Sequence, residues 1–257
     1  MKKLIAFDLD GTLADSKSPA DERMTDLLVQ LMEKFEVCVI SGGKFEQFQK
    51  QLLNGMKANA EHLKHMHIMP TCGTQYYQYD TSSNDWKQIY AENFNEDEKK
   101  KITDALNKGF DDLKMRAEKI YGETIEDRGS QVTFSVLGQD IVDELGKEGV
   151  RIKEAWDPDN KKKLALRDYI APLIPEFEVR VGGVTSIDVT KKGIDKAYGM
   201  KKLMEMLNIG KDEILFIGDR LQEGGNDYPV KAFGIDSLQI SHWRETAVAV
   251  ETVIHVT

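Results

Sequence analysis

Cysteine is scarce in this sequence. Two occur among 257 residues, neither in a CxxC pair, which excludes a disulfide framework. Cys38 sits in the apolar run Val37-Cys38-Val39-Ile40 and is expected to be a small buried hydrophobe. Long apolar stretches are also missing, and no run approaches the 18 residues that a membrane-spanning helix needs. The basic opening Met1-Lys2-Lys3 is followed by only Leu4-Ile5-Ala6-Phe7 before Asp8 interrupts, which is too short for an export signal. Positive charge is in deficit, with 35 Lys and Arg against 44 Asp and Glu for a net charge of −9. Nonspecific binding to nucleic acid or to an anionic membrane is therefore a poor reading, although a local positive pocket for an anionic substrate stays open. Repeats and low-complexity tracts are absent. The expected setting is the cytoplasm.

What is present is a core. Hydrophobic residues make up 40% of the chain and charged residues 31%, enough apolar material for one large domain or two modest ones. Leu4–Phe7 and Val37–Ile40 are short continuous apolar runs of the kind that form buried parallel strands. Between them, Leu27, Leu28, Leu31, Met32 and Phe35 follow at helical spacing, with Ser18-Pro19 as the expected helix start. A helix from Phe45 to Leu53 and a strand at His67–Met69 continue the alternation. It resumes with a helix over 193–207, a strand over 213–217 and short strands near 232–235 and 238–240. Strand–helix alternation of this kind implies a parallel sheet with right-handed crossovers.

The intervening texture differs. Thr74–Asp80 and Trp86–Tyr90 flank a polar turn and read as a hairpin. Asn95 with Glu98 three residues on is a helix-start signature. Gln131–Val136 alternates like a strand, Asp157-Pro158 opens an expected helix, and Phe177–Val181 and Thr185–Val189 are further strand candidates. The expected fold is α/β, a Rossmann-like doubly wound core made of residues 1–81 and 188–257, with an α+β insertion over 82–187.

Three expected strands end in polar clusters: Asp8/Asp10/Thr12, then Ser41-Gly42-Gly43, then Gly218-Asp219. In an open parallel sheet, ligands bind beyond the carboxyl ends of the strands, so these clusters can converge on one crevice. Carboxylates gathered there are unfavourable unless a cation neutralises them, and a hard dication such as Mg²⁺ suits oxygen ligands. Thr12, Ser41 and Lys196 could then hold a phosphate, and a carboxylate beside a metal is a route to an aspartyl-phosphate.

Phe7-Asp8-Leu9-Asp10-Gly11-Thr12 resembles motif I of the haloacid dehalogenase (HAD) superfamily of phosphotransferases. Ser41 resembles motif II, Lys196 motif III, and Gly218-Asp219 with Gly225-Asn226-Asp227 motif IV. About thirty residues separate Asp10 from Ser41, which leaves no room for a cap there. The longer insertion resembles the type IIB (C2) cap. Within that type, Ser41-Gly42-Gly43, Ile125–Gly129, Gly182-Gly183 and Ser186-Ile187-Asp188 are similar to the eukaryotic-type phosphomannomutases and related phosphosugar phosphatases. The resemblance implies Asp8 as nucleophile, Asp10 as general acid/base, and Thr12, Ser41, Gly42 and Lys196 around the phosphate. It implies Mg²⁺ held by Asp8, the Asp10 carbonyl, Asp219 and Asp227, with Gly43, Arg128, Ser186 and Asp188 toward the substrate. A small phosphorylated substrate, a sugar phosphate, follows from it, and a homodimer through the cap is compatible with it.

Hydrolysis and mutase action share this chemistry and differ in the nucleophile of the second step. A mutase must hold a second phosphate, for which arginine forks are suited. Gln139 stands where the resemblance places the first further arginine, and Asp140–Leu145 contains none. That favours a monophosphorylated substrate and attack by water; a phosphomannomutase is the alternative, and a catalytically silent phosphosugar-binding protein is a third reading. His62, His65 and His67 are expected to be scattered rather than a metal cluster. Tyr76, Tyr77 and Tyr79 are expected to be half-buried strand residues rather than a stacking platform for sugar.

Overall fold

The computed structural model describes residues 1–256. Its chain divides into two compact units: Met1–Ala91 together with the segment from Ile194 onward, and Glu92–Gly193 between them. No helix among the described residues is long and apolar enough to cross a membrane.

The first unit is built on a seven-stranded sheet of order β11-β10-β1-β2-β3-β4-β5. Its strands are β1 (Leu4–Phe7), β2 (Glu36–Ile40), β3 (Met66–Met69), β4 (Gln75–Asp80), β5 (Asp85–Ala91), β10 (Ile214–Gly218) and β11 (Asp236–Gln239). Strand β1 is central, parallel to both β10 and β2, in the register Phe7↔Ile217 and Phe7↔Val39. Side chains alternate across such a strand. Ile5 and Phe7 join Val37, Val39 and Ile68 in one core, under α1 (Glu22–Leu31) and α10 (Trp243–Val256), with α2 (Phe45–Gln51) contributing Phe48. Leu4 and Ala6 join Cys38, Ile40, Ile214 and Phe216 in the opposite core, under α8 (Lys196–Leu207) and α9 (Tyr228–Ala232). Helix α3 (Ala60–Leu63) precedes β3. Cys38 is fully buried, as its apolar neighbours predict, and burial pushes its thiol pKa far up.

The second unit is a four-stranded antiparallel sheet of order β6-β7-β9-β8, made of β6 (Ile125–Asp127), β7 (Gln131–Ser135), β8 (Phe177–Val181) and β9 (Ser186–Lys191). Its helices are α4 (Glu96–Asp112), α5 (Ile141–Leu145), α6 (Lys147–Trp156) and α7 (Lys161–Ile170). Val132, Phe134, Val179, Ile187 and Val189 form one apolar face, packed with Ile102, Leu106 and Phe110 of α4 and Leu166 and Ile170 of α7. Asn95 and Glu98 form the expected capping box on α4, with the Glu98 amide donating to Asn95 Oδ1 at 2.9 Å and the Asn95 amide to Glu98 Oε2 at 2.8 Å.

Several boundaries differ from the sequence expectation. The insertion is not 82–187: β5 pairs along its length with β4 in the first sheet, so residues 82–91 belong to that unit. At the other end β9 runs to Lys191 in the second sheet, so a break at 187/188 would cut a strand. The first sheet is parallel from β11 to β3 and antiparallel only at β4 and β5. Helix α1 starts at Glu22 rather than after Ser18, because the Asp21 carboxylate accepts from the Arg23 amide at 3.0 Å and caps it there. Likewise α7 starts at Lys161, since the Asp157 carboxylate accepts from the Lys162 and Lys163 amides at 3.0 and 2.9 Å. Residues 232–235 close α9 and lead into β11 instead of forming a strand.

Candidate active site

The C-terminal ends of the parallel strands carry the acids. Asp8 follows β1, and its amide donates to the Ile217 carbonyl of β10 at 3.1 Å. Asp219 follows β10 directly. Lys196 opens α8, whose first turn is capped by Asp195 accepting from the Tyr198 amide at 3.0 Å. The Lys196 ammonium is fully buried and donates to Asp8 Oδ1 at 2.5 Å and to Asp227 Oδ1 at 2.6 Å. Asp227 Oδ2 accepts from the Arg220 amide at 3.0 Å, and the Asp227 amide donates back to the Arg220 carbonyl at 3.3 Å, which ties the loop after β10 to this lysine.

Glycine is required at two of these turns. Gly11 has φ +83°, and a Cβ there would meet Asp219 Oδ2 at 2.7 Å. A Cβ at Gly218 would meet Asp227 Oδ2 at 2.5 Å. The bare backbone is what lets three carboxylates gather.

Asp8, Asp219 and Asp227 each offer an oxygen within 4.8 Å of the others. The Lys196 ammonium joins Asp8 and Asp227, the half-exposed Arg220 guanidinium lies 3.7 Å from Asp219 Oδ2, and the electrostatics still show an excess of negative charge. Burial pushes Asp8 up to about 7; the Lys196 ammonium opposes this, and the Asp227 and Asp10 charges add to it. Burial and the Asp227 charge also raise Asp219 above the usual carboxylate range. Burial works to lower Lys196, but the Asp8 and Asp227 charges outweigh it and keep the ammonium firmly protonated. Two buried atoms lack a hydrogen-bond partner here, Asp219 Oδ1 and Thr12 Oγ1. An all-oxygen donor set with surplus negative charge and an orphaned carboxylate oxygen fits a hard dication.

Asp10 lies two residues after Asp8, just before the turn at Gly11. Its Oδ1 accepts from the Lys17 amide at 2.7 Å and Gln51 Nε2 at 3.1 Å, and its Oδ2 accepts from Gln47 Nε2 at 2.8 Å. Neither glutamine stands out in the sequence, although their i, i+4 spacing puts both on one face of a helix. Ser41 follows β2, and its Oγ accepts from the Gly43 amide at 3.4 Å. Gly42 and Gly43 continue that turn, with the Gly43 carbonyl accepting from the Thr71 amide at 3.0 Å.

The remaining expected residues lie in the second unit, on the face of the sheet opposite its apolar core. Cross-strand register aligns Glu126, Thr133, Asp188 and Arg180 in one row over four strands. Thr133 Oγ1 donates to Asp188 Oδ1 at 2.8 Å, and Arg128 pairs with Glu126 at 2.8 Å. Ser186 stands opposite Ser135 in the same sheet. Burial raises Asp188 above the usual carboxylate range, against the nearby Arg128 charge and the hydrogen bonds from Thr133 and Gln131. Gln139, at the position of the expected arginine, donates to the Thr133 carbonyl at 3.5 Å.

Two of the histidines, His65 and His67, are engaged within the fold. His65 Nδ1 and His67 Nε2 each lie 2.9 Å from a Glu36 oxygen, and His67 Nδ1 lies 2.8 Å from the Tyr76 hydroxyl. Tyr77 stacks on Phe45 with ring centroids 3.9 Å apart, which occupies that face.

The chain is similar to known proteins. A family profile described as haloacid dehalogenase-like hydrolase matches residues 5–229. The chain is 25% identical over 229 residues to the phosphomannomutase of Encephalitozoon cuniculi, covering 89% of this chain and 84% of that protein. It is 26% identical over 234 residues to the phosphomannomutase of Arabidopsis thaliana, covering 87% and 85%. Among solved structures, an N-terminally truncated IMP-nucleotidase of Plasmodium falciparum superposes with a TM-score of 0.70 at 19% identity, over 100% of this chain and 71% of that one. A haloacid dehalogenase-like hydrolase of Bacteroides thetaiotaomicron does so with a TM-score of 0.64 at 16% identity, over 98% and 100%. At these identities the structural likeness speaks to fold alone.

Proposed function

The chain belongs to the haloacid dehalogenase-like hydrolase family, and from that premise we propose that it hydrolyses a phosphosugar monoester through an aspartyl-phosphate, with Mg²⁺ as cofactor. The observation that carries the reading is the cluster of Asp8, Asp219 and Asp227 around one buried ammonium, with Asp219 Oδ1 and Thr12 Oγ1 unpartnered.

An Asp8 oxygen attacks phosphorus in line, and the bond from phosphorus to the sugar oxygen breaks. Asp10 gives its proton to that oxygen and becomes a carboxylate. Asp10 then takes a proton from water as the water oxygen attacks the phosphoryl group, and Asp8 leaves as a carboxylate. The net reaction is ester plus water to alcohol plus phosphate. Lys196, Thr12, and Ser41 with the Gly42 turn hold and stabilise the non-bridging oxygens. Asp8, Asp219, the Asp10 carbonyl and Asp227 are the residues that would hold Mg²⁺, whose chemistry when bound is charge neutralisation of a phosphoryl group and its nucleophile. Asp227 also orients Lys196, since its two oxygens already accept from Lys196 and from the Arg220 amide.

The second unit supports the choice of substrate. Its polar row holds Glu126, Thr133, Asp188 and Arg180, with Arg128 paired to Glu126 at 2.8 Å and Arg180 to Glu178 at 3.7 Å. Arg128, Ser186 and Asp188 are assigned to the sugar, and a face whose arginines are already answered by Glu126 and Glu178 suits hydroxyl groups better than a second phosphate. The second reading, a phosphomannomutase, draws on the two relatives of that name.

The test is phosphate release from mannose 6-phosphate and p-nitrophenyl phosphate with and without Mg²⁺, with intact-mass detection of a phosphorylated chain after rapid quenching. Mannose 1-phosphate with a trace of hexose bisphosphate separates the two readings. Mannose 6-phosphate accumulating without free phosphate would replace hydrolase by mutase.

A further inference from the structure

Helix α2 carries two carboxamides that the reaction above does not use. Gln47 and Gln51 are one turn apart, on one face of the helix. Gln47 Nε2 donates to Asp10 Oδ2 at 2.8 Å and to Gln51 Oε1 at 2.7 Å. Gln51 Nε2 donates to Asp10 Oδ1 and to the Ser18 carbonyl, both at 3.1 Å. Gln51 is 3% exposed. The Lys17 amide completes the set on Oδ1 at 2.7 Å, from a residue with φ +55°, a conformation that side-chain-bearing residues adopt rarely. Three features thus converge on one carboxylate: two amides and a strained backbone turn.

We propose that Gln47 and Gln51 are positioning residues for Asp10, whose carboxamides decide which of its two oxygens exchanges the proton with the leaving group. The proposal rests on Asp10 being the acid/base of the reaction above. Each carboxylate oxygen has two lone-pair directions. Oδ1 meets two donors, so its directions are taken. Oδ2 meets only Gln47 Nε2 and keeps one open. Oδ2 is therefore the oxygen with a lone-pair direction left for exchange with the leaving group, on the side away from the Gln47 carboxamide. Gly43 is part of the device. A Cβ there would lie 2.3 Å from Gln47 Oε1 and 2.7 Å from its carboxamide carbon, so the absence of a side chain at Gly43 gives the Gln47 amide its place. This assigns Gly43 a role in supporting the acid as well as in the turn after β2.

A residue that acts through the acid matters where the leaving group needs a proton and matters little where it does not. Two probes separate these cases: 2-phenylethyl phosphate, with an alkyl leaving group, and p-nitrophenyl phosphate, with one that departs as an anion. In Gln47→Leu, kcat/KM for the alkyl ester is expected to fall about 10- to 100-fold, and for the aryl ester less than about 3-fold. Asp10→Asn is expected to show the same split more strongly. Adding Gln47→Leu to Asp10→Asn should cost nothing further, because the group it serves is gone. Gly43→Ala leaves both glutamines in the chain and displaces the Gln47 amide, so it should reproduce the split even if Gln47→Leu folds poorly. Equal loss on both esters in Gln47→Leu and Gly43→Ala, or an additive loss in the Asp10→Asn background, overturns the clamp and leaves the acid assignment standing. Absence of any leaving-group split in Asp10→Asn itself overturns the acid assignment, and the clamp with it.

Discussion

The two units solve the problem of grouped polar side chains in opposite ways. In the first, Asp8 and Asp227 share one buried ammonium, Asp219 lies 3.7 Å from the half-exposed Arg220 guanidinium, and a carboxylate oxygen and a threonine hydroxyl stay without a partner. In the second, Glu126 answers Arg128 and Thr133 answers Asp188 within the sheet itself. The first arrangement, with carboxylates gathered in excess of their cations, is unfavourable on its own. The second is close to self-sufficient and presents hydrogen-bonding groups without a large field. Chemistry needs the stored imbalance, because preorganised charge acts where new charge develops. Recognition of a hydroxylated ligand does not need it.

The comparison predicts effects of very different size. The largest is on turnover: Asp8→Asn should lower kcat by about 1000-fold or more, as loss of a nucleophile does. Its circular dichroism and thermal transition should stay intact, since Lys196 keeps Asp227. Near-normal phosphate release by that variant would end the nucleophile assignment. Next is Lys196→Met, which removes the buried ammonium between Asp8 and Asp227 and leaves those two carboxylates facing each other. Breaking a buried pair from one side is worth about 3–5 kcal/mol, to be read from urea unfolding of the first unit.

A smaller, ligand-borne effect follows from the unanswered charge. Mg²⁺ at roughly 100 times its dissociation constant should stabilise the chain by about 2.7 kcal/mol, seen as a rise in thermal midpoint that chelation reverses. Asp219→Asn should remove most of that rise, and an undiminished rise would move the metal elsewhere. The smallest effect belongs to the second unit. Burial raises Asp188, so the folded chain holds that proton more tightly than the unfolded chain does. The stabilisation this contributes is complete below the unfolded value of about 4 and is lost as pH climbs through the raised folded value. Arg128 and Glu126 are the charged neighbours that set its size. Asp188→Asn should flatten that decline, a change on the order of 1 kcal/mol, measured as unfolding midpoint against pH.

Much of the first site was legible from the chain. A continuous apolar run followed by Asp8-Leu9-Asp10-Gly11-Thr12 names both the strand and the cluster at its end. Gly218-Asp219 repeats that grammar, and both glycines prove to be places where a Cβ would strike a carboxylate. The capping box at Asn95 and Glu98 was readable because it is local. The limits of the insertion were not. Trp86–Tyr90 alternates like any hairpin strand, and only its partner β4 tells which sheet it joins. Asp21 beats Ser18 as a helix cap, a competition between neighbours of similar propensity.

Gln47 and Gln51 show the same division most clearly. The expected helix over Phe45–Leu53 contains both, and nothing in their neighbourhood along the chain mentions Asp10. Residue type and order determined the strands, the turn chemistry and the identity of the acids, because these depend on neighbours a few positions apart. Only the tertiary structure decided that Lys196 would bridge Asp8 and Asp227, and that two amides would grip Asp10. Those contacts join positions 31 to 188 residues apart, and they exist because the parallel sheet delivers its strand ends to one edge.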